Sequence, residues 1–177
     1  LANEELVLRA RDGDREAFVE LMRQNEDALY HMAWSMLRKE EDVADAMQEA
    51  IFKAYRSIAS LREPQFFRTW MFRILINECN TLLRGRSRTV TVAEFPVTAS
   101  RGNDYDGVDM RDAVDRLEQK QRIVVILHYF EDMSISQVAQ TLELTESAVK
   151  TRLMRARAVL MKKFQIHSKG SMNYESI

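Results

Sequence analysis

Apolar residues recur at helical spacing along most of the chain, and the stretch from Phe66 to Arg84, FFRTWMFRILINECNTLLR, carries the most informative pattern. On a 3.6-residue wheel Phe67, Trp70, Met71, Ile74, Leu75 and Leu82 gather into one stripe, which predicts a buried face. Arg73, Asn77, Asn80 and Arg84 follow at i, i+4, i+7 and i+11 and share another face. That face offers charge for phosphates and amides for base edges, with Phe66, Trp70 and Phe72 expected at its margins for stacking. Glu78 falls inside the apolar stripe, so either the helix kinks there or Glu78 pairs with a buried arginine.

The same reading lays out the rest of the first half. Leu6, Val7 and Ala10 mark a short helix over 3–11, and Asp12-Gly13-Asp14 breaks it, with Asp14 placed to cap the next helix. A long helix over 15–38 is predicted from Phe18, Leu21, Met22, Leu29, Met32, Ala33, Met36 and Leu37. A turn at 39–41 leads to a helix over 42–58, capped by Asp42, whose stripe is Val43, Ala46, Met47, Ala50, Ile51, Ala54 and Ile58. Phe52 points away from that stripe, ringed by Asp45, Gln48, Glu49 and Arg56. A large aromatic at the centre of a polar face is an anchor pattern for a protein partner. Residues 57–65 read as a loop, with Pro64 at a first helical position.

Periodicity vanishes over 85–111, where Gly, Ser, Thr and Asp are frequent. The segment is too long for a routine connection inside one domain, so it reads as a linker between a domain at 1–84 and another at 112–164. Two domains on a tether can hold two sites at once. The second half predicts helices over 112–117 and 119–131. A helix from Ser134 to Leu142 then carries a Ser134/Gln137 capping box, a turn follows at Glu143-Leu144, and Thr145 caps a last helix. Val149, Leu153, Ala156 and Leu160 form its inner stripe, while Glu146, Ser147, Lys150, Thr151, Met154 and Arg155 face outward. This is a helix-turn-helix with a basic recognition helix for the major groove, Lys150 and Arg155 reaching bases or phosphates. Residues 165–177 read as a frayed polar tail.

Composition supports an all-α fold of two small helical domains, because only five Gly and two Pro occur in 177 residues. Net charge is −1, but residues 1–84 carry 12 Lys/Arg against 15 Asp/Glu, whereas residues 113–177 carry 10 against 7. Nucleic-acid affinity rests largely on phosphate neutralisation, so the acidic half needs another protein to supply a positive field. No apolar run approaches the roughly 20 residues of a membrane span, no signal-like stretch opens the sequence, and the single Cys79 excludes an internal disulfide. A cytoplasmic protein without membrane insertion is the expectation. No catalytic set, metal cluster or glycine-rich phosphate loop can be assembled, so neither enzyme activity nor a cofactor or metal is expected.

Four blocks in order resemble the extracytoplasmic-function (ECF) sigma factors, specificity subunits of bacterial RNA polymerase. They are GDREAFVELM at 13–22, EDVADAMQEAIFKAYRSI at 41–58, FRTWMFRILINECNTLLR at 67–84 and the helix-turn-helix at 134–157. The resemblance implies that Asp45, Gln48, Glu49, Phe52 and Arg56 dock on core RNA polymerase. It implies that Ser60, Arg62, Phe66, Trp70, Arg73, Asn77, Asn80 and Arg84 recognise and melt the −10 element of promoter DNA. It assigns the −35 element to Glu146, Ser147, Lys150, Thr151, Met154 and Arg155, and it implies control by an anti-sigma factor. Departures from the family pattern include Glu118 after Leu117, where proline is usual, and Arg68, where an aromatic is frequent. The competing reading is a two-domain helix-turn-helix regulator that binds duplex DNA without polymerase.

Overall fold

The computed structural model describes residues 2–89 and 110–171. Eight α-helices and no strand occur among them. The first unit comprises α1 (Ala2–Arg11), α2 (Arg15–Leu37), α3 (Glu40–Ser57) and α4 (Phe67–Thr89), with 3-10 turns at Ile58–Ser60 and Pro64–Phe66 before α4. The second comprises α5 (Met110–Asp115), α6 (Gln119–Val125), a π-helical turn at Ile126–Phe130, α7 (Ile135–Leu142) and α8 (Glu146–Ser171).

The local signals explain most boundaries. Gly13 takes φ +101°, a left-handed conformation that suits glycine, and Asp14 then accepts a hydrogen bond from the Ala17 amide at 3.1 Å. Arg9 reaches back to the same carboxylate at 2.6 Å. The Ala17 amide and Arg9 together hold Asp14 below its ordinary carboxylate value. Asp42, expected as a cap, is not one: α3 starts at Glu40 with Lys39 as its N-cap residue. Asp42 instead lies in the first turn, where Glu40 and Glu41 join it at the positive end of the helix, and it is paired with Arg86 of α4. Ala46, Ala50 and Ala54 are buried at successive i+4 positions, and these small side chains let α3 lie closely along α4.

In the second unit the Ser134/Gln137 capping box forms as expected. Buried Arg122 donates through Nη1 to the carbonyls of Asp115 at 2.8 Å and Leu117 at 2.9 Å, which satisfies the end of α5. The expected helix over 119–131 changes pitch at Ile126, where the Glu131 amide reaches the Ile126 carbonyl at 3.1 Å, an i→i+5 bond.

Three expectations are revised. Phe72 is not at the margin of a polar face but 1% exposed, and Ile76 and Cys79 join it in the core. The stripe is therefore broader than the wheel drew it, because α4 is covered by α2 as well as α3. Helix α4 passes Arg84 and runs to Thr89, and α5 begins at Met110, so both ends of the expected linker are helical; residues 90–109 lie outside those described. The backbone of α8 continues to Ser171, well into the expected tail, of which residues 172–177 lie outside those described.

The two units pack against each other. α2 meets α6, α4 meets α7, and one contiguous apolar cluster runs from Val7 through Leu75 and Val124 to Ala156. Arg38 donates to the Asp115 carbonyl at 3.0 Å and its carboxylate at 3.1 Å. Arg68 pairs with Glu131, and Arg73 pairs with Glu143.

Candidate nucleic-acid and partner interfaces

On α3 the buried alanine row forces the opposite side of the helix outward. Asp45, Gln48, Glu49, Phe52 and Arg56 are all exposed, and Phe52 is 57% exposed. Tyr55, which the wheel did not single out, is also exposed and meets Phe18 edge-on, with ring centroids 5.1 Å apart. Its position three residues after Phe52 was the available signal. The face is thus a pair of aromatics beside acids. A groove between α3 and α4, lined by Asp45, Gln48, Glu49 and Glu78, continues its acidic side.

The Glu78 question resolves in neither expected way. α4 is continuous through that position, and Glu78 pairs with Lys53 of α3 at 2.7 Å rather than with an arginine. Glu78, with help from Glu49, holds the Lys53 ammonium above its ordinary value. The neighbouring Cys79 is fully buried and its thiol is pushed up to about 12 by that burial, so it is packing material rather than a nucleophile.

The expected −10 residues divide into two groups. Ser60, Arg62 and Phe66 sit on the exposed segment before α4; Ser60 Oγ donates to the Ser57 carbonyl at 2.6 Å, and Arg11 donates to the Arg62 carbonyl. Trp70 is half-buried and tilted against Phe67, with centroids 6.0 Å apart. Arg73, Asn77 and Arg84 are exposed and Asn80 is half-buried. Arg84 bonds back to the Asn80 carbonyl at 3.2 Å. Asn77 and Asn80 line an open groove of about 350 Å³ whose other wall is built by Lys120, Thr141, Glu143 and Arg152 of the second unit. Arg73 ends on Glu143.

The expected −35 residues lie together on the N-terminal half of α8. Glu143 takes a left-handed conformation at the end of α7 (φ 54°), and Thr145 Oγ1 then accepts from the Ala148 amide at 3.2 Å, which starts α8 at Glu146. Val149, Leu153 and Ala156 anchor the inner side. Glu146, Ser147, Lys150, Met154 and Arg155 are exposed, and Thr151 is half-buried with its hydroxyl bonded to the Ser147 carbonyl at 2.9 Å. Lys150 has only a loose contact with Glu146, at 3.9 Å. Farther along, Arg157 lies over the Tyr129 ring and donates to its hydroxyl at 2.7 Å. Among the described residues no group of His, Cys, Asp and Glu is placed to hold a metal, and no helix is long and apolar enough to cross a membrane.

Comparison with known proteins gives these surfaces a family. Residues 21–89 match the family description Sigma-70 region 2, and residues 108–160 match Sigma-70, region 4. The ECF RNA polymerase sigma factor SigM of Mycobacterium tuberculosis (strain Erdman) is 32% identical over 162 residues, covering 90% of this chain and 83% of its own length. The RNA polymerase sigma factor SigV of Bacillus subtilis is 29% identical over 130 residues, 72% of this chain and 78% of SigV. CnrH, solved in complex with the cytosolic domain of CnrY, superposes with a TM-score of 0.67 at 25% identity over 94% of this chain and 99% of CnrH. With both sigma regions present in order on an all-helical chain, this protein belongs to the ECF sigma factors and serves bacterial RNA polymerase in promoter-directed initiation of transcription.

Proposed function

We propose that three faces divide the work of this sigma factor. The α3 face of Asp45, Gln48, Glu49, Phe52 and Arg56, extended by Tyr55, docks on core RNA polymerase. Phe52 and Tyr55 supply buried area on docking, and the acids select a cationic counterpart. Ser60, Arg62, Phe66, Trp70, Arg73, Asn77, Asn80 and Arg84 hold the melted −10 strand, with Phe66 and Trp70 stacking bases and the amides meeting base edges. Glu146, Ser147, Lys150, Thr151, Met154 and Arg155 read the −35 element in the major groove. In domain terms residues 1–84, 85–111, 112–164 and 165–177 act as polymerase and −10 module, connection, −35 module and tail, with α4 running on into the connection and α8 into the tail. An anti-sigma factor is the expected regulator, the cytoplasm is the expected location, and the protein acts through binding rather than through catalysis of its own.

The observation that carries this reading is the exposure of the basic half of α8 beside an acidic first unit whose aromatic anchor faces outward. Duplex binding and polymerase binding are thereby given to different units. Run-off transcription with core polymerase and a promoter library tests it. The chain directs initiation from a defined promoter, and Phe52→Ala weakens polymerase binding while the second unit stays folded. Tight promoter binding without polymerase, with no gain in initiation, overturns it in favour of an independent regulator.

A further inference from the structure

Arginines that are partly or fully withdrawn from solvent in this chain have acceptors, with one exception among the described residues. Arg11 donates to the Arg62 carbonyl, Arg68 pairs with Glu131, Arg86 pairs with Asp42, and Arg122 donates to two carbonyls. Arg152 of α8 is half-buried and has neither an ion pair nor a hydrogen bond from its guanidinium. A guanidinium that gives up hydration without gaining an acceptor carries a cost that a bound anion would relieve. Arg152 lines the groove of about 350 Å³ beside α4. Lys120 lines the same wall, is exposed and is likewise unpaired. Glu143, the acid of that lining, is already paired with Arg73. The groove therefore holds two uncompensated positive charges. On the opposite wall Asn77 and Asn80 accept from Thr81 and Arg84 through their backbone carbonyls, which leaves both side-chain amides without a partner. Leu83, Ile123 and Leu144 add apolar lining.

We propose that this groove is a binding site for a nucleoside 5′-phosphate: Arg152 and Lys120 hold the phosphate, and the Asn77 and Asn80 amides meet the edge of the base. Charge selects a phosphate monoester, because its roughly −1.5 to −2 at neutral pH matches the two free cations. Geometry selects Arg152 as the main contact, since a planar guanidinium binds phosphate through two parallel N–H donors. An amide offers a donor and an acceptor side by side, the pattern that pairs with N6 and N7 of adenine. The volume lies within the range of small-ligand clefts. The ligand contacts α4 together with α6 and α8, so its binding stabilises the folded chain as a whole. The same chemistry can come from a free mononucleotide or from the end of a DNA strand. The site goes beyond the promoter reading and is tested without promoter or polymerase, so its failure leaves the sigma reading standing.

The test is calorimetric titration of the full chain with adenosine 5′-monophosphate, with circular dichroism to check that each variant is folded. Adenosine 5′-monophosphate binds with a Kd below about 1 mM and raises the melting temperature as its concentration rises. Adenosine and inorganic phosphate each bind at least about tenfold more weakly, because each makes only part of the contacts. Arg152→Gln weakens the mononucleotide about tenfold or more, the loss of a charge-assisted hydrogen bond. Lys120→Gln, at an exposed position where folding is not at stake, weakens it about threefold. Lys162→Gln makes the same charge change at an exposed position outside the groove and leaves the affinity as in the parent. A second arm adds 5′-phosphorylated pentadeoxyadenylate as competitor. Displacement at concentrations well below the mononucleotide Kd assigns the site to a strand end, and displacement only at or above that Kd assigns it to the free nucleotide. No heat and no melting shift with adenosine 5′-monophosphate up to about 10 mM overturns the site. So does inorganic phosphate binding as tightly as the mononucleotide, which would leave only a spot for small anions. Unchanged affinity in both Arg152→Gln and Lys120→Gln places any binding elsewhere and overturns it as well.

Discussion

Helices α4 and α8 look alike on a wheel and behave differently in the fold. Each is more than 20 residues long, with an apolar stripe and a polar face fit for nucleic acid. The α4 stripe is bulky, with Phe67, Met71, Phe72, Leu75, Ile76 and Cys79 all buried, and two of its cations already end on acids of the other unit. The α8 stripe is slim, with Val149, Leu153 and Ala156 buried, and Arg155 has no ion-pair partner among the described residues. A short local code suffices to give α8 its exposed basic face, because its cap and surplus positive charge are its own. α4 is first a core element, and part of its polar face lies against the second unit. The difference teaches that one face is set by its own helix and the other also by what packs against it.

The largest expected effect breaks or upholds the bulky-versus-slim contrast. Leu75→Ala removes a fully buried side chain from the packed side of α4, and stability falls by about 3 kcal/mol. Val149→Ala removes less volume and costs less. Urea denaturation followed by circular dichroism checks both. Since one apolar cluster joins the units, Leu75→Ala moves a single transition to lower urea; two separated transitions, or equal losses for the two variants, would end the contrast.

Periodicity made the helices legible, together with local chemistry: Asp14 caps α2, Ser134 and Gln137 form their box, and Phe52 projects outward, all as the sequence implied. What escaped was long-range. Phe72 looked marginal because a wheel shows one stripe and cannot show that α2 covers a second. Glu78 looked anomalous because its partner, Lys53, lies 25 residues away on α3. Asp42 looked like a cap because acids favour helix starts, but α3 begins at Glu40, and Asp42 in its first turn is paired with the distant Arg86. The Arg68–Glu131 and Arg73–Glu143 pairs span 63 and 70 residues, and no spacing rule connects them. Candidate site residues were visible where a single helix face defines them, and the packing of the second unit against one such face was not.

A middle-sized effect separates the two proposed readers directly. With polymerase present, Arg155→Ala weakens −35 duplex binding by about 2 kcal/mol if it contacts a base, and Lys150→Ala weakens it less, lowering the salt slope by about 1 as a phosphate contact does. Asn77→Ala leaves −35 affinity nearly intact and impairs strand opening, read by permanganate reactivity of unpaired thymines. Equal loss of opening and of −35 affinity in the Asn77→Ala protein would erase the distinction between α4 and α8.

The smallest effect concerns how each unit starts its key helix. Ser134 caps α7 with a neutral hydroxyl, so Ser134→Ala lowers stability by about 1 kcal/mol at every pH. Asp14 caps α2 with a carboxylate, held below its ordinary value of 3.8 by the Ala17 amide and Arg9. A depressed acid contributes stability that is fully present above the unfolded value and is lost as pH falls through the folded one. The first unit therefore has an acid-sensitive start and the second does not. Asp14→Asn keeps a capping oxygen but removes the titration, so stability measured by denaturation from pH 5 downward declines less steeply than in the parent. Ser134→Ala runs parallel to the parent over the same range. Parallel curves for Asp14→Asn would show that the Asp14 charge adds nothing to the cap, and the two helix starts would then be equivalent.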